Sequence, residues 1–208
     1  MGWPGLRSLT LEHGDVLLRP IRYRDRSEWT QLRARNAAWL GPWDATDPRP
    51  GGVAPSYGQM VQALRAQARD HTGLPLVITE RQGGPGARPA LIGQLNVSSI
   101  VWGAARTATL GYWVDRDRAG RGIVPTAVAL ATDYCFGELG LHRMEINIRP
   151  ENAPSLRVVE KLGFRDEGLR QRFLHIDGRW CDHRSFALTA EEVPGGLLSR
   201  LQAGSGAG

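Results

Sequence analysis

Apolar residues recur along this chain with two different periods, and the changes of period mark out its elements. The run VLLRPIR at 16–22 is apolar and stops at a proline, which predicts an opening strand. Helical spacing then takes over at Trp29, Leu32 and Asn36, with Asp25 or Ser27 placed to cap the helix. The turn-rich stretch GPWDATDPRPGGVAPS follows, and Met60, Val61, Leu64 and Ala68 repeat as a second helix. LPLVITER, ALIGQLNVSSIV and TATLGYWV read as an antiparallel meander, joined by GGPGARP and by a turn at Gly103. Next, Val124, Ala127, Val128, Ala131 and Cys135 share one helix face. HRMEINIR is a further strand, and APSLRVVEKLG a short helix stopped by Gly163. The stretch from Phe164 to Thr189 reads as strand and hairpin, turning at Asp177-Gly178. This order predicts one mixed α/β domain over residues 1–193, with six or seven mostly antiparallel strands flanked by helices. Residues 194–208, rich in Gly, Ser and Ala, read as a flexible tail.

Composition adds limits. The chain has 208 residues, 41% hydrophobic and 23% charged, enough for one good core. No run of about 18 apolar residues appears, so no membrane span is expected. The start, MGWPGLRSLTLEHGD, lacks the basic and apolar regions of a signal peptide. Cys135 and Cys181 sit far apart without metal-ligand spacing, which predicts reduced thiols, a cytoplasmic protein and no metal. A net charge of +5 raises the question of nucleic acid. Yet the basic residues are scattered arginines, Lys161 being the only lysine, so nucleic-acid binding is disfavoured as the main role. An acidic small ligand, or an assembly rich in RNA, remains compatible.

The stretch DRDRAGRGIVPTAVALAT at 115–132 points to such a ligand. Gly120 and Gly122 let backbone N–H groups converge, and Arg116, Arg118 and Arg121 suggest a negative guest. The helix that follows adds unpaired N–H groups and a positive dipole end, which together make a phosphate cradle. A Walker loop is excluded, since no Lys-Ser or Lys-Thr follows the glycines. A Rossmann fingerprint is excluded too: Pro125 stands where the third glycine belongs, and an antiparallel meander precedes the loop.

LGYWVDRDRAGRGIVPTAVALATDYCF followed by RMEINIRPENAPSLRVVEKLGFRDEG resembles the acetyl-CoA-binding core of the GNAT N-acetyltransferases, and within them the RimJ/RimL type. The resemblance spans residues 16–189 and is most specific over 111–168. It implies the GNAT fold, splayed between the fourth and fifth strands, with acetyl-CoA as cosubstrate and no metal. Ala119, Gly120, Arg121, Gly122, Ile123 and Val124 would bind the pyrophosphate through main-chain groups. Tyr112, Trp113 and Val114 would offer the freed strand edge to the pantetheine arm, with a backbone N–H near 111–113 polarising the thioester carbonyl. The loop departs from the family's Q/R-x-x-G-x-G/A at Ala119 and Val124.

Asn152 and Ser155 fit an ordinary helix start, and the resemblance adds coenzyme contact for both and proton donation for Ser155. The general base stays open. Thr109 and Leu174 stand where relatives carry glutamates, leaving Glu145, His175 and Asp177 as candidates, the last better explained by the hairpin turn. Trp39 and Trp43 line an acceptor groove or anchor the helix end in the core. Asp44 and Asp47 could attract a protonated amine, and Arg149 and Trp180 border the same face. The implied acceptor is a protein N-terminus, such as that of a ribosomal protein, or a small amine; alternatives are a larger acyl donor or a non-catalytic coenzyme-binding protein, as monomer or homodimer.

Overall fold

Every segment with period-two or continuous apolar character became a strand, and all of them joined one sheet. The computed structural model describes residues 8–49, 54–82 and 88–205, so the extreme start, the centres of both glycine-rich loops and the last three residues lie outside it. Its strands are β1 (Leu11–His13), β2 (Val16–Pro20), β3 (Leu74–Glu80), β4 (Ala90–Val101), β5 (Thr107–Val114), β6 (Arg143–Ile148), β7 (Arg165–Ile176) and β8 (Arg179–Thr189). They lie in the order β1-β2-β3-β4-β5-β6-β8-β7, antiparallel except for β5 beside β6. The eighth strand is β1, which pairs Leu11–His13 with β2 across Gly14 and was too short to read from its pattern.

Helices α1 (Arg26–Arg35), α2 (Ala37–Leu40) and α3 (Tyr57–Arg69) cover one face. They bury Leu32, Tyr57 and Val61 against Ile21, Val77 and Leu91. Helices α4 (Ile123–Gly137), α5 (Ala153–Leu162) and α6 (Leu197–Ser205) cover the other, around a larger core. Within α4, Ala127, Val128, Ala131 and Cys135 are fully buried, as the period predicts. Burial pushes the Cys135 thiol up to about 12, so it is inert packing.

Local signals hold where they are strongest. Ser56 and Gln59 form a capping box on α3. Gly163 ends α5 in the left-handed region at φ 71°. Asp177 and Gly178 both take positive φ, 47° and 80°, as a two-residue hairpin turn requires. Beyond Pro194 the chain does not trail off. Leu197 and Leu201 pack into the core beside α4, and the Asp133 carboxylate accepts from the N–H groups of Leu197 and Leu198 at 2.6 and 3.0 Å. Glycine-rich composition concealed two apolar anchors spaced one helical turn apart.

Candidate active site

The site begins where two strands part. β5 and β6 pair only through Thr107↔Arg143, Ala108↔Met144 and Thr109↔Glu145. Past Thr109, β5 stays with β4 as far as Val114↔Gly93, while β6 stays with β8 as far as Ile148↔Arg184. Gly93 allows the first of these to persist, since a Cβ there would sit 2.4 Å from the Trp113 carbonyl oxygen. Each strand follows its own partner, and a cleft of about 780 Å³ opens between them. Among the described residues, the backbone groups of residues 110–114 on the β6 side have no strand partner.

The glycine loop closes one end of the cleft. Gly122 caps α4 at φ 77°, Gly120 sits at φ 76°, and a Cβ at either would meet nothing within 4 Å. The first main-chain bond of α4 runs from the Thr126 N–H to the Gly122 carbonyl at 3.1 Å, which leaves the earlier N–H groups free. Ala119, Gly120, Gly122, Ile123 and Val124 line the cleft, as do Tyr112, Trp113 and Val114. The Arg121 side chain does not: it turns to Glu80 at 3.0 Å, so its contribution is confined to the main chain. Arg118 does line the cleft and also reaches Glu80, at 3.4 Å. Across from the loop, the Asn152 carboxamide oxygen accepts from the Ser155 N–H at 3.2 Å, and both residues face the cleft. Capping and lining coexist at this helix mouth.

Tyr112 carries an unexpected feature. Its hydroxyl is buried, and among the described residues it makes no hydrogen bond of good geometry, the Ser155 hydroxyl being the nearest influence on it. Burial pushes its pKa well above the ordinary phenol value, against a smaller opposite pull from the Ser155 hydroxyl. A buried phenol that stays protonated and close to the Ser155 hydroxyl can share its proton with that hydroxyl.

The other end is built from side chains of distant segments. Trp39, Trp43 and Asp44 line it from the chain after α1, which clips to the β7–β8 hairpin through the Ala45↔Ile176 bridge and the Thr46 N–H on the His175 carbonyl at 2.9 Å. Arg149 stacks 5.4 Å from the Trp43 ring centre and donates to the Pro42 carbonyl at 2.8 Å; Arg116 lies 6.0 Å from the Trp39 ring centre. The Asp44 carboxylate is taken by Arg33, which itself stacks on Trp29 and Trp113.

Comparison with known proteins interprets this arrangement. A family model described as an acetyltransferase (GNAT) domain matches residues 15–165. The chain belongs to the GNAT acetyltransferase family. Mycobacterium smegmatis RimJ, solved in complex with a CoA-disulfide, matches it with a TM-score of 0.83 at 38% identity, over 91% of this chain and 89% of that one. The ribosomal protein uS5-alanine N-acetyltransferase of Escherichia coli (strain K12) is 28% identical over 185 residues, 86% of this chain and 91% of its own. The probable N-acetyltransferase YjcK of Bacillus subtilis (strain 168) is 44% identical over 98 residues, which is 47% of this chain and 54% of that protein. The chain is therefore an acetyl-CoA-dependent N-acetyltransferase of the GNAT family with the RimJ fold.

The chain's own residues fit that donor. Open space at two left-handed glycines, free N–H groups at the α4 mouth and an unpaired strand edge suit a diphosphate followed by an extended amide chain. Two expected base candidates are elsewhere. Glu145 is held by Arg143, two residues earlier on β6, at 3.0 Å and by Arg170, reaching across from β7, at 3.2 Å, outside the cleft lining. The His175 Nδ1 lies 2.7 Å from the Thr46 hydroxyl and its ring packs edge-on against exposed Trp180, again outside the lining. Asp177 serves the turn. What sequence reasoning passed over is His183, which lines the cleft together with Gln94, Asn96 and Asn147. The period-two spacing of Cys181, His183 and Ser185 was its only local signal.

Proposed function

We propose that this GNAT enzyme acetylates the α-amine of protein or peptide N-termini in the cytoplasm, ribosomal proteins being the leading acceptor class. One observation carries the choice of acceptor: among the described residues the only carboxylate lining the cleft, Asp44, is already paired with Arg33, while Arg149 stands at the same end. A polycationic amine finds no free anion among the described residues there. A lysine side chain with an ordinary pKa near 10.4 is neutral in roughly one molecule in a thousand near pH 7.3, and the described residues of this site offer no free carboxylate to deprotonate it. An α-amine, at about 7.7–8.0, is neutral in roughly a sixth to a quarter at the same pH. The uS5-alanine acetyltransferase similarity agrees with that acceptor class.

Acetyl-CoA supplies an electrophilic thioester carbonyl and a thiolate leaving group. The glycine loop and α4 mouth bind its diphosphate, Asn152 and the edge of residues 110–114 orient its arm, and Trp39 and Trp43 wall the acceptor approach. Tyr112, with Ser155 beside it, holds the proton that the departing sulfur needs. The test compares thiol release with three acceptors: an alanyl peptide with its lysines blocked, the same peptide with only its N-terminus blocked, and spermidine. The first should turn over at least tenfold faster than the others, and equal rates would overturn the assignment.

A further inference from the structure

Among the described residues that line the cleft, His183 stands out as a base with a free lone pair. Among the titratable residues that line it, Arg118, Arg149, Arg157 and Lys161 are cations, Tyr112 is a protonated phenol, and Asp44 is engaged by Arg33. His183 remains. Its place follows from strand alternation: Cys181, His183 and Ser185 share a face of β8, and Ser185 donates to Asn147 of β6 at 2.6 Å, beside the cleft. The ring is 3% exposed, and its Nδ1 lies 3.0 Å from the Cys181 carbonyl oxygen. A carbonyl oxygen only accepts, so Nδ1 carries the hydrogen and Nε2 carries the lone pair. Among the described residues Nε2 has no hydrogen-bond partner. Phe173 meets the imidazole edge-on at 6.0 Å and helps fix its plane.

Resting on the acetyltransferase reading of this cleft, we propose that His183 is the general base, its Nε2 taking the proton from the acceptor ammonium. One N–H bond of the ammonium breaks with its electron pair staying on nitrogen, and an Nε2–H bond forms. The imidazolium then returns the proton to water at the open mouth of the cleft. Burial lowers the His183 pKa, and Arg149 adds to the effect, against Asp182, Glu151 and the Cys181 carbonyl. The neutral ring, with its Nε2 lone pair available, is thereby favoured. For a histidine at or below about 6.5, proton transfer from an α-ammonium is uphill by at least roughly 15-fold, but from a lysine ammonium by several thousand-fold. The same residue therefore favours α-amines.

The experiment is the pH profile of kcat/KM with a lysine-blocked alanyl peptide, for the wild type, His183→Gln, His183→Asn and a surface control, His142→Gln. The wild type and the control should keep an acid limb with its midpoint below about 6.5, set by the histidine. In the His183 variants the limb should move up to the amine's own pKa, about 7.7–8.0, with turnover at pH 7 down roughly tenfold and largely recovered near pH 9. Coenzyme A affinity should stay within about twofold in every variant. Nitrogen NMR of the wild type alone, independent of activity and of variant folding, should find the proton on Nδ1 and a titration below 6.5. A proton on Nε2, or variants that keep the wild-type acid limb and rate, would overturn His183 as base while leaving the acetyltransferase reading intact. No thiol release from the wild type with any amine would overturn both.

Discussion

The two ends of the cleft are made of different materials. The coenzyme end is main chain: glycines at φ 76° and 77°, the free N–H groups of one helix mouth, and an unpaired strand edge. The acceptor end is side chain: tryptophans under arginines, an aspartate tied to Arg33, and a histidine tied to a carbonyl. A main-chain site is specified by a few consecutive residues, whereas a side-chain site requires four remote segments to arrive with their ion pairs already assigned. The first tolerates Ala119 and Val124 in unusual places. The second admits no such shorthand, because what a group can do there depends on which neighbour has claimed it.

The largest effect should come from Gly122→Asp, which puts a carboxylate into the cradle and forces a non-glycine residue to φ 77°. Left-handed strain of roughly 1–2 kcal/mol plus like-charge repulsion corresponds to a loss of coenzyme A affinity of about 100-fold or more. Gly122→Ala, measured by the same calorimetric titration, should recover most of it by leaving only the strain. If both variants bound equally weakly, the main-chain picture of this end would reduce to backbone conformation alone. Tyr112→Phe should follow, lowering kcat by roughly tenfold to a hundredfold with KM for acetyl-CoA nearly unchanged. An unchanged kcat would leave thiolate protonation to Ser155 or solvent.

Asn36 joins the two ends. Its carboxamide donates to the Asp115 carboxylate at 2.8 Å and accepts from the Arg116 N–H at 2.9 Å, between the acceptor segment and the glycine loop. Burial pushes the Asp115 carboxyl up, but the hydrogen bonds from Arg35 and Asn36 outweigh it and hold the group below its ordinary value. Asn36→Ala should cost about 1–3 kcal/mol in thermal or denaturant unfolding, because it strips partners from buried polar groups. KM for both substrates should rise together; a rise for one alone would mean the two ends are not mechanically joined.

The smallest effect belongs outside the cleft. Arg143 hydrogen-bonds Glu145 and Glu167, and Arg165 joins the cluster. Hydrogen bonds from Arg143, aided by Arg165, hold Glu167 at about 2, below its unfolded value. The cluster's stabilisation is therefore complete above the unfolded carboxylate pKa near 4.5 and is lost as pH falls from there toward 2. Melting temperature should drop over that window, and less steeply in Glu167→Gln. Turnover at pH 7 in Glu145→Gln should stay within about twofold. A collapse of turnover would return Glu145 to the list of bases.

Legibility followed the range of each interaction. The strands and helices, the Gly163 stop, the Asp177-Gly178 turn and the glycine loop rest on periods and single-residue preferences that neighbouring positions express. The packing of α6 was hidden, since Leu197 and Leu201 reveal themselves as core only against α4. Glu145 and His175 looked available because nothing adjacent in sequence discloses Arg170 or Thr46.

By itself, then, the amino-acid order determined the sheet-and-helix frame, the anion cradle and the family, because backbone conformation and amphipathic period are local. Tertiary structure alone decided which acids and bases are free. Proton affinity and hydrogen-bond satisfaction depend on neighbours brought from far along the chain, as the Cys181 carbonyl, Phe173 and Arg149 do around His183.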